Sequence, residues 1–88
     1  EDVERAGAMM LYPNPTSGAF NVGFVRESRN VRVSVYSANG QLLMSEMVGD
    51  VEPGRDCEFV LDGVMNGAYI VKVEGEAVNE TFRLLLVK

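Results

Sequence analysis

Apolar residues alternate with polar ones along most of this chain. From Phe20 to Phe24 they fall at every second position, with Asn21 and Gly23 between them. Val31, Val33 and Val35 repeat the pattern, with Arg32 and Ser34 facing the other way. Cys57, Phe59 and Leu61 do so again, and Tyr69, Val71 and Val73 a fourth time. Period two over five residues marks a strand with one face in a core and the other in water. No window carries the three-and-four spacing of an amphipathic helix. Turn residues separate the alternating runs: Pro13-Asn14-Pro15, Asn39-Gly40, Pro53-Gly54, Asp62-Gly63 and Asn66-Gly67. Strands are expected at Met9–Tyr12, Phe20–Phe24, Val31–Val35, Gln41–Val48, Cys57–Leu61, Ala68–Glu74 and Glu80–Val87. About seven short strands with a turn every ten residues or so predict an all-β fold, an immunoglobulin-like antiparallel β-sandwich. With no Trp and a single Cys, the Cys…Trp…Cys signature of a true immunoglobulin domain is missing.

Local chemistry sharpens three places. Pro13 and Pro15 each fix their own φ and push Tyr12 and Asn14 toward extended geometry, and Gly18 lets the chain turn after them. The result is a stiff corner. Asn39-Gly40 offers two left-handed positions for a tight hairpin. In the last hairpin, Val71 and Val73 must share a face with Phe82, Leu84 and Leu86. A four-residue loop from Glu76 to Asn79 achieves this by pairing Val73 with Phe82 and Val71 with Leu84. That register sets Ile70 opposite Leu85 on the outer face, with Ala68 and Val87 beyond. The final strand then becomes apolar on both faces, where an edge strand ordinarily alternates and carries charge. Either another segment of the chain covers Ile70, Leu85 and Val87, or they form a docking patch for another protein, strand addition included.

Composition narrows the function. The 88 residues allow one domain and bury roughly 60–65% of the extended surface, enough for a modest core but not for a deep cleft besides. Residues 1–8 are polar and without period and read as a linker or arm from a preceding domain; the domain proper is 9–88. The chain does not begin with Met and reads as a piece of a longer protein. A net charge of −5 with scattered Lys and Arg disfavours nucleic acid and anionic membrane surfaces. No apolar run reaches the ~20 residues of a membrane span, so direct membrane insertion is not expected. The chain has no His, which removes the common general base and metal ligand. Cys57 falls in step with Phe59 and Leu61 and reads as a small core residue rather than a nucleophile. Asp50, Glu52 and Asp56 do not follow the alternate spacing of a calcium loop. No cofactor, metal site or catalytic residue is therefore expected, and the protein is not expected to be an enzyme. Residue types and spacing lead to a binding, structural or addressing module.

Four segments in order resemble the C-terminal sorting domains of the type IX (Por) secretion system of Bacteroidetes-type bacteria, as found on gingipain-like proteases and other secreted cargo. They are Leu11-Tyr12-Pro13-Asn14-Pro15-Thr16-Ser17-Gly18, Val35-Tyr36-Ser37-Ala38-Asn39-Gly40-Gln41, Asn66-Gly67-Ala68-Tyr69-Ile70-Val71-Lys72-Val73 and Arg83-Leu84-Leu85-Leu86-Val87-Lys88. The likeness spans about Met9 to Lys88. Arg83 stands where the family often has Lys, and Ser37 where an acidic residue is common. The resemblance implies a non-catalytic secretion signal fused to an N-terminal cargo domain. Cargo would pass through the periplasm, be recognised by the secretion machinery, and cross the outer membrane. A sortase-like peptidase would then remove the domain, cutting near or before residues 1–8, as the cargo is attached to lipopolysaccharide at the cell surface or released. It also points to Leu84, Leu85, Leu86, Val87 and Lys88 as the segment the translocon reads. Pro13, Asn14, Pro15, Gly18, Asn39, Gly40, Gly67 and Tyr69 would be motif residues serving mainly the fold. The alternatives are an accessory sandwich that spaces a secreted enzyme and a carbohydrate-binding module, which needs an exposed tyrosine platform. Pairing of two copies through their sheet edges is a further open alternative.

Overall fold

A computed structural model of the chain describes residues 4–7 and 9–88. Among them all regular structure is strand: β1 (Glu4–Ala6), β2 (Met9–Tyr12), β3 (Ala19–Phe24), β4 (Ser28–Ser37), β5 (Leu42–Val51), β6 (Asp56–Val60), β7 (Gly67–Glu74) and β8 (Asn79–Leu86). They form two antiparallel four-stranded sheets, ordered β1-β2-β3-β6 and β5-β4-β7-β8. Setting the short β1 aside, the first, second and fifth strands make one sheet and the third, fourth, sixth and seventh the other. That is the order of an immunoglobulin-like sandwich, as the alternation predicts.

The core lies where the period-two positions place it. Phe20, Val22 and Phe24 face Val31, Val33, Val35, Val71, Val73, Leu84 and Leu86 across the sandwich, all at 1% exposure or less. Phe20 and Phe59 stack tilted, with ring centroids 5.5 Å apart, a favourable aromatic arrangement. Cys57 is buried on β6. Burial pushes its thiol above the ordinary range, against the opposing pull of Arg55, so it is a neutral core group at physiological pH.

Five expectations are corrected. First, residues 4–6, read as part of an arm, form an edge strand in register with β2, Glu4 against Leu11 and Ala6 against Met9; residues 1–3 and 8 lie outside the described residues. Second, β4 and β5 are each ten residues long. Bulges let β5 continue through Gly49 and Asp50 to Val51, which is buried at 1% exposure. A bulge breaks the alternation on which strand reading depends. Third, only Gly40 of the Asn39-Gly40 turn has positive φ, 90°. The Ser37 amide donates to Gln41 O at 2.8 Å and the Gly40 amide to Ser37 O at 3.0 Å, enclosing a three-residue loop of the type I plus bulge kind.

Fourth, the last hairpin pairs Val71 with Phe82, Val73 with Glu80 and Tyr69 with Leu84, not Val73 with Phe82. Its loop is still four residues long but runs from Gly75 to Val78, one position earlier. The inward set is unchanged, because the shift moves each partner by two and period two is preserved. The cause is Val78, which reads as loop but is buried at 6% exposure. The loop docks on the start of β4: the Glu76 amide donates to Arg29 O, the Ala77 amide to Ser28 Oγ, and the Gly75 amide closes on Val78 O. A Cβ at Gly75 would stand 2.7 Å from Ser28 Oγ and 2.9 Å from Val31 Cγ2. Glycine at 75 lets the loop approach Ser28 and Val31 this closely, and so accommodates the register that buries Val78. Fifth, Ser34 sits on the outer face of β4 yet is buried at 3% exposure, with its hydroxyl 3.3 Å from that of Ser45.

Candidate functional site

The corrected register rearranges the chain-end surface. Ile70 lies opposite Arg83, and Leu85 lies opposite Ala68 rather than Ile70. Leu84 and Leu86 are fully buried, whereas Leu85 is 39% and Val87 52% exposed. Ile70 and Ala68 are half-buried, and Arg83 and Lys88 are exposed. The outer face near the chain end therefore carries Leu85 and Val87 beside half-buried Ile70 and Ala68, with one cation, Arg83, among them.

β8 ends its sheet, so its outer row of amides and carbonyls has no neighbouring strand of that sheet. The Pro13–Thr16 corner occupies much of that row. Asn14 Nδ2 donates to Arg83 O at 2.7 Å, and Asn14 Oδ1 accepts from the Leu85 amide at 2.9 Å. The Thr16 amide donates to Leu85 O at 2.9 Å, and the Val87 amide to Thr16 O at 2.8 Å. Thr16 thus forms a parallel bridge with Leu86. One amide side chain and one residue of backbone replace the missing strand along the last half of β8. Asn14 and Thr16 are themselves buried, because they fill a strand's place. The corner is held in turn: the Thr16 hydroxyl bonds Ala19 O and accepts from the Gly18 amide at 3.0 Å. Both X–Pro bonds of the corner are cis.

The last residue is also anchored. The Lys88 amide donates to Asn66 Oδ1 at 3.0 Å, and its Nζ to Val64 O at 2.8 Å. Asn66 precedes Gly67, whose φ is 152°. Tyr69 is buried and its hydroxyl bonds Met65 O, so the Asn66–Tyr69 segment pins the loop that receives Lys88. Asn39 and Gly40 lie in the β4–β5 turn, and nothing brings them to this surface. The resemblance assigns Asn14 and Pro15 mainly to the fold. The structure places them beside the terminal strand, where Asn14, Pro15, Arg83 and Leu85 line a shallow concavity of about 400 Å³. Bonds between positions 69 and 71 apart in the chain leave no local pattern that could have announced them.

The remaining candidates fall elsewhere. Asp50 accepts from the Asn30 amide at 3.1 Å, and Asp56 lies on β6. Tyr12 and Tyr36 are half-buried on the outer faces of the first and second sheets, and do not share a face with each other.

A search of curated proteins and a search of solved structures each return no significant match. A family model does match: that of the secretion system C-terminal sorting domain, over residues 10–88. Those residues include the corner, both hairpins and the anchored end described above. The chain therefore belongs to the family of type IX secretion C-terminal sorting domains.

Proposed function

We propose that this domain addresses a larger, N-terminally fused cargo to the type IX machinery through the outer face of its β7–β8 hairpin. One observation supports the reading: Leu85 and Val87 stay exposed on a segment whose alternate residues are core and whose backbone is bonded on both edges. Apolar side chains held this rigidly bind at little entropic cost. In this reading the terminal segment Leu84–Lys88 divides its labour. Leu84 and Leu86 anchor it, while Leu85 and Val87, with Ile70 beside them, are what the translocon touches. Arg83 and Lys88 give the patch a polar rim. Strand addition at the end of β8 is disfavoured, since Asn14 and Thr16 already hold that edge. After export, a sortase-like peptidase cuts on the N-terminal side of the fold and leaves the cargo at the cell surface or free outside.

The test is a reporter fused ahead of residues 1–88 in a host with the secretion system. The parent fusion reaches the cell surface or medium. The variant Ile70→Ser/Leu85→Ser/Val87→Ser, shown folded by its circular dichroism and urea transition, stays in the periplasm. Normal delivery of that folded variant would overturn the reading. It is a better probe than deleting residues 84–88, which also removes two buried leucines and so tests folding.

A further inference from the structure

The first sheet ends on β6, at the edge away from β1. This strand pairs with β3 without interruption, from Gly23 opposite Asp56 to Ala19 opposite Val60. Bonds at the two ends of the run fix which way each backbone group points. The Phe24 amide donates to Arg55 O and the Leu61 amide to Gly18 O, both at 2.9 Å. In an antiparallel ladder, bonded pairs alternate with unbonded ones. Arg55, Cys57, Phe59 and Leu61 therefore turn their N–H and C=O to β3, and Asp56, Glu58 and Val60 turn theirs outward. Each of these last residues offers one donor and one acceptor at the edge. Among the described residues no strand pairs with that edge.

The side chains leave this edge open to a strand. Cys57 and Phe59 point inward and are buried, so β6 sets no charge toward the interior against an incoming chain. Beside them, between β6 and β5, lies a concavity of about 310 Å³, bounded across the gap by Glu46, Met47 and Val48. The inward side chains of an added strand would enter it. On the outer face, Asp56 and Glu58 are exposed, and so is Val60. Strands β2, β3 and β6 contribute no Lys or Arg to that face. Arg55 falls by alternation on the inner side with Cys57, and Arg5 stands on β1 at the far edge of the sheet.

This charge pattern selects the occupant. A second copy pairing through all five residues of β6 would set Glu58 against its own equivalent, and like charges directly opposite destabilise a ladder. The net charge of −5 on each copy adds to the repulsion. A basic strand meets neither cost. We propose that the free edge of β6 accepts, as an added antiparallel strand, an extended segment of a partner polypeptide with Lys or Arg at alternate positions. The basic side chains lie beside Asp56 and Glu58, and the residues between them turn into the concavity beside Cys57 and Phe59. Main-chain bonds supply the affinity, and the alternation supplies the specificity. The edge is separate from the chain-end patch, so a failure of either reading leaves the other standing.

The experiment is a titration of the whole chain, followed by amide NMR, with the peptide acetyl-Thr-Val-Thr-Lys-Thr-Lys-Thr-amide. In the antiparallel register its first Lys lies opposite Glu58. One control carries an N-methyl group on the backbone of that Lys, which keeps the charge and removes a ladder donor. The other has Glu in place of both Lys. Saturable shifts are expected at Asp56, Glu58 and Val60, with a Kd on the order of 1 mM, since an isolated strand must be ordered on binding. Exchange of those three amides should slow, and that of Cys57 and Phe59, already bonded to β3, should not change. Both controls should bind at least about tenfold more weakly. So should Glu58→Lys, a substitution at an exposed position whose fold is checked by circular dichroism. Absence of saturable shifts, shifts centred on β5 or β8, equal binding of the N-methylated peptide, or undiminished binding by folded Glu58→Lys would each overturn the proposal. A parent domain found by sedimentation to be dimeric through β6 would overturn it too, in favour of a second copy.

Discussion

The two outer edges of the second sheet, β8 and β5, face the same hazard and meet it differently. Both present a row of amides and carbonyls to which a foreign strand could add. At β8 the chain blocks its own edge: Asn14 and Thr16 supply four hydrogen bonds along the last half of the strand. At β5 no strand among the described residues pairs with the outer edge, and the defence is in the strand itself. Bulges interrupt its register near Val31 and Val35, Gly49 takes a φ of 90°, and Glu46 is exposed on the core-facing side, opposite fully buried Val33. A charge pointing toward the interior of an edge strand is a recognised guard against pairing. The difference teaches where recognition is free to occur. With the end of β8 plugged and β5 guarded, the outer face of the second sheet is left as its accessible surface.

The largest expected effect separates the two sides of β8 itself. Leu84 is fully buried, and Leu84→Ala should cost about 2–5 kcal/mol by lost transfer energy and the cavity left behind. A urea transition reads this directly. A loss below about 1 kcal/mol would mean that the terminal strand is not part of the cooperative core.

Next comes the plug. Asn14→Ala removes a donor to Arg83 O and an acceptor for the Leu85 amide, and should cost about 1–3 kcal/mol because buried groups lose partners. Hydrogen exchange should quicken at Leu85 first. Asn14→Asp keeps the acceptor and loses the donor, so Leu85 should stay protected while stability falls by an intermediate amount. If Asn14→Ala leaves Leu85 exchange unchanged, the corner is not what holds the edge.

How much of this was legible beforehand follows from the distance over which each interaction acts. Phe20, Val22 and Phe24, or Val71 and Val73, announce their face through neighbours two positions away, so the sandwich and its core could be read off the alternation. Asn14 could be recognised as part of a stiff corner, but its bonds reach across some seventy positions, and nothing near it says what it touches. Val78 was hidden for another reason: a lone Val between Ala77 and Asn79 has no period, and its burial depends on the docking of the loop on Ser28 and Arg29. The hairpin register followed from that one side chain. At the chain end, the alternation leaves open whether Leu85 and Val87 are covered or exposed, and the register read from it differs from the observed one by two. The alternation survived the shift, and their neighbours across the hairpin did not.

A third, smaller effect bears on the exposed side of β8. Leu85→Ser with Val87→Ser should cost about 1 kcal/mol or less, since both side chains are substantially in water. Near-native stability is what makes the pair usable as an export probe. A loss comparable to that of Leu84→Ala would show these residues to be core, and the recognition reading of the segment would lose its footing.

The smallest effect on stability is expected at β5, where the consequence should appear in association instead. Glu46 is exposed and has no ion-pair partner among the described residues, so Glu46→Val should change folding stability by no more than about 0.5 kcal/mol. It would, however, replace the inward-pointing charge with a residue of high strand propensity beside exposed Met47 and half-buried Met44 and Val48. If the charge is the guard, sedimentation should find the parent domain monomeric and the Glu46→Val variant dimeric, with β5 amides newly protected from exchange. A parent domain already dimeric through β5 would show that this edge is a natural interface between copies. A variant that stays monomeric would move the whole burden of protection to the bulges and to Gly49, and the contrast between a plugged edge and a charged one would become a contrast between a plugged edge and a bent one.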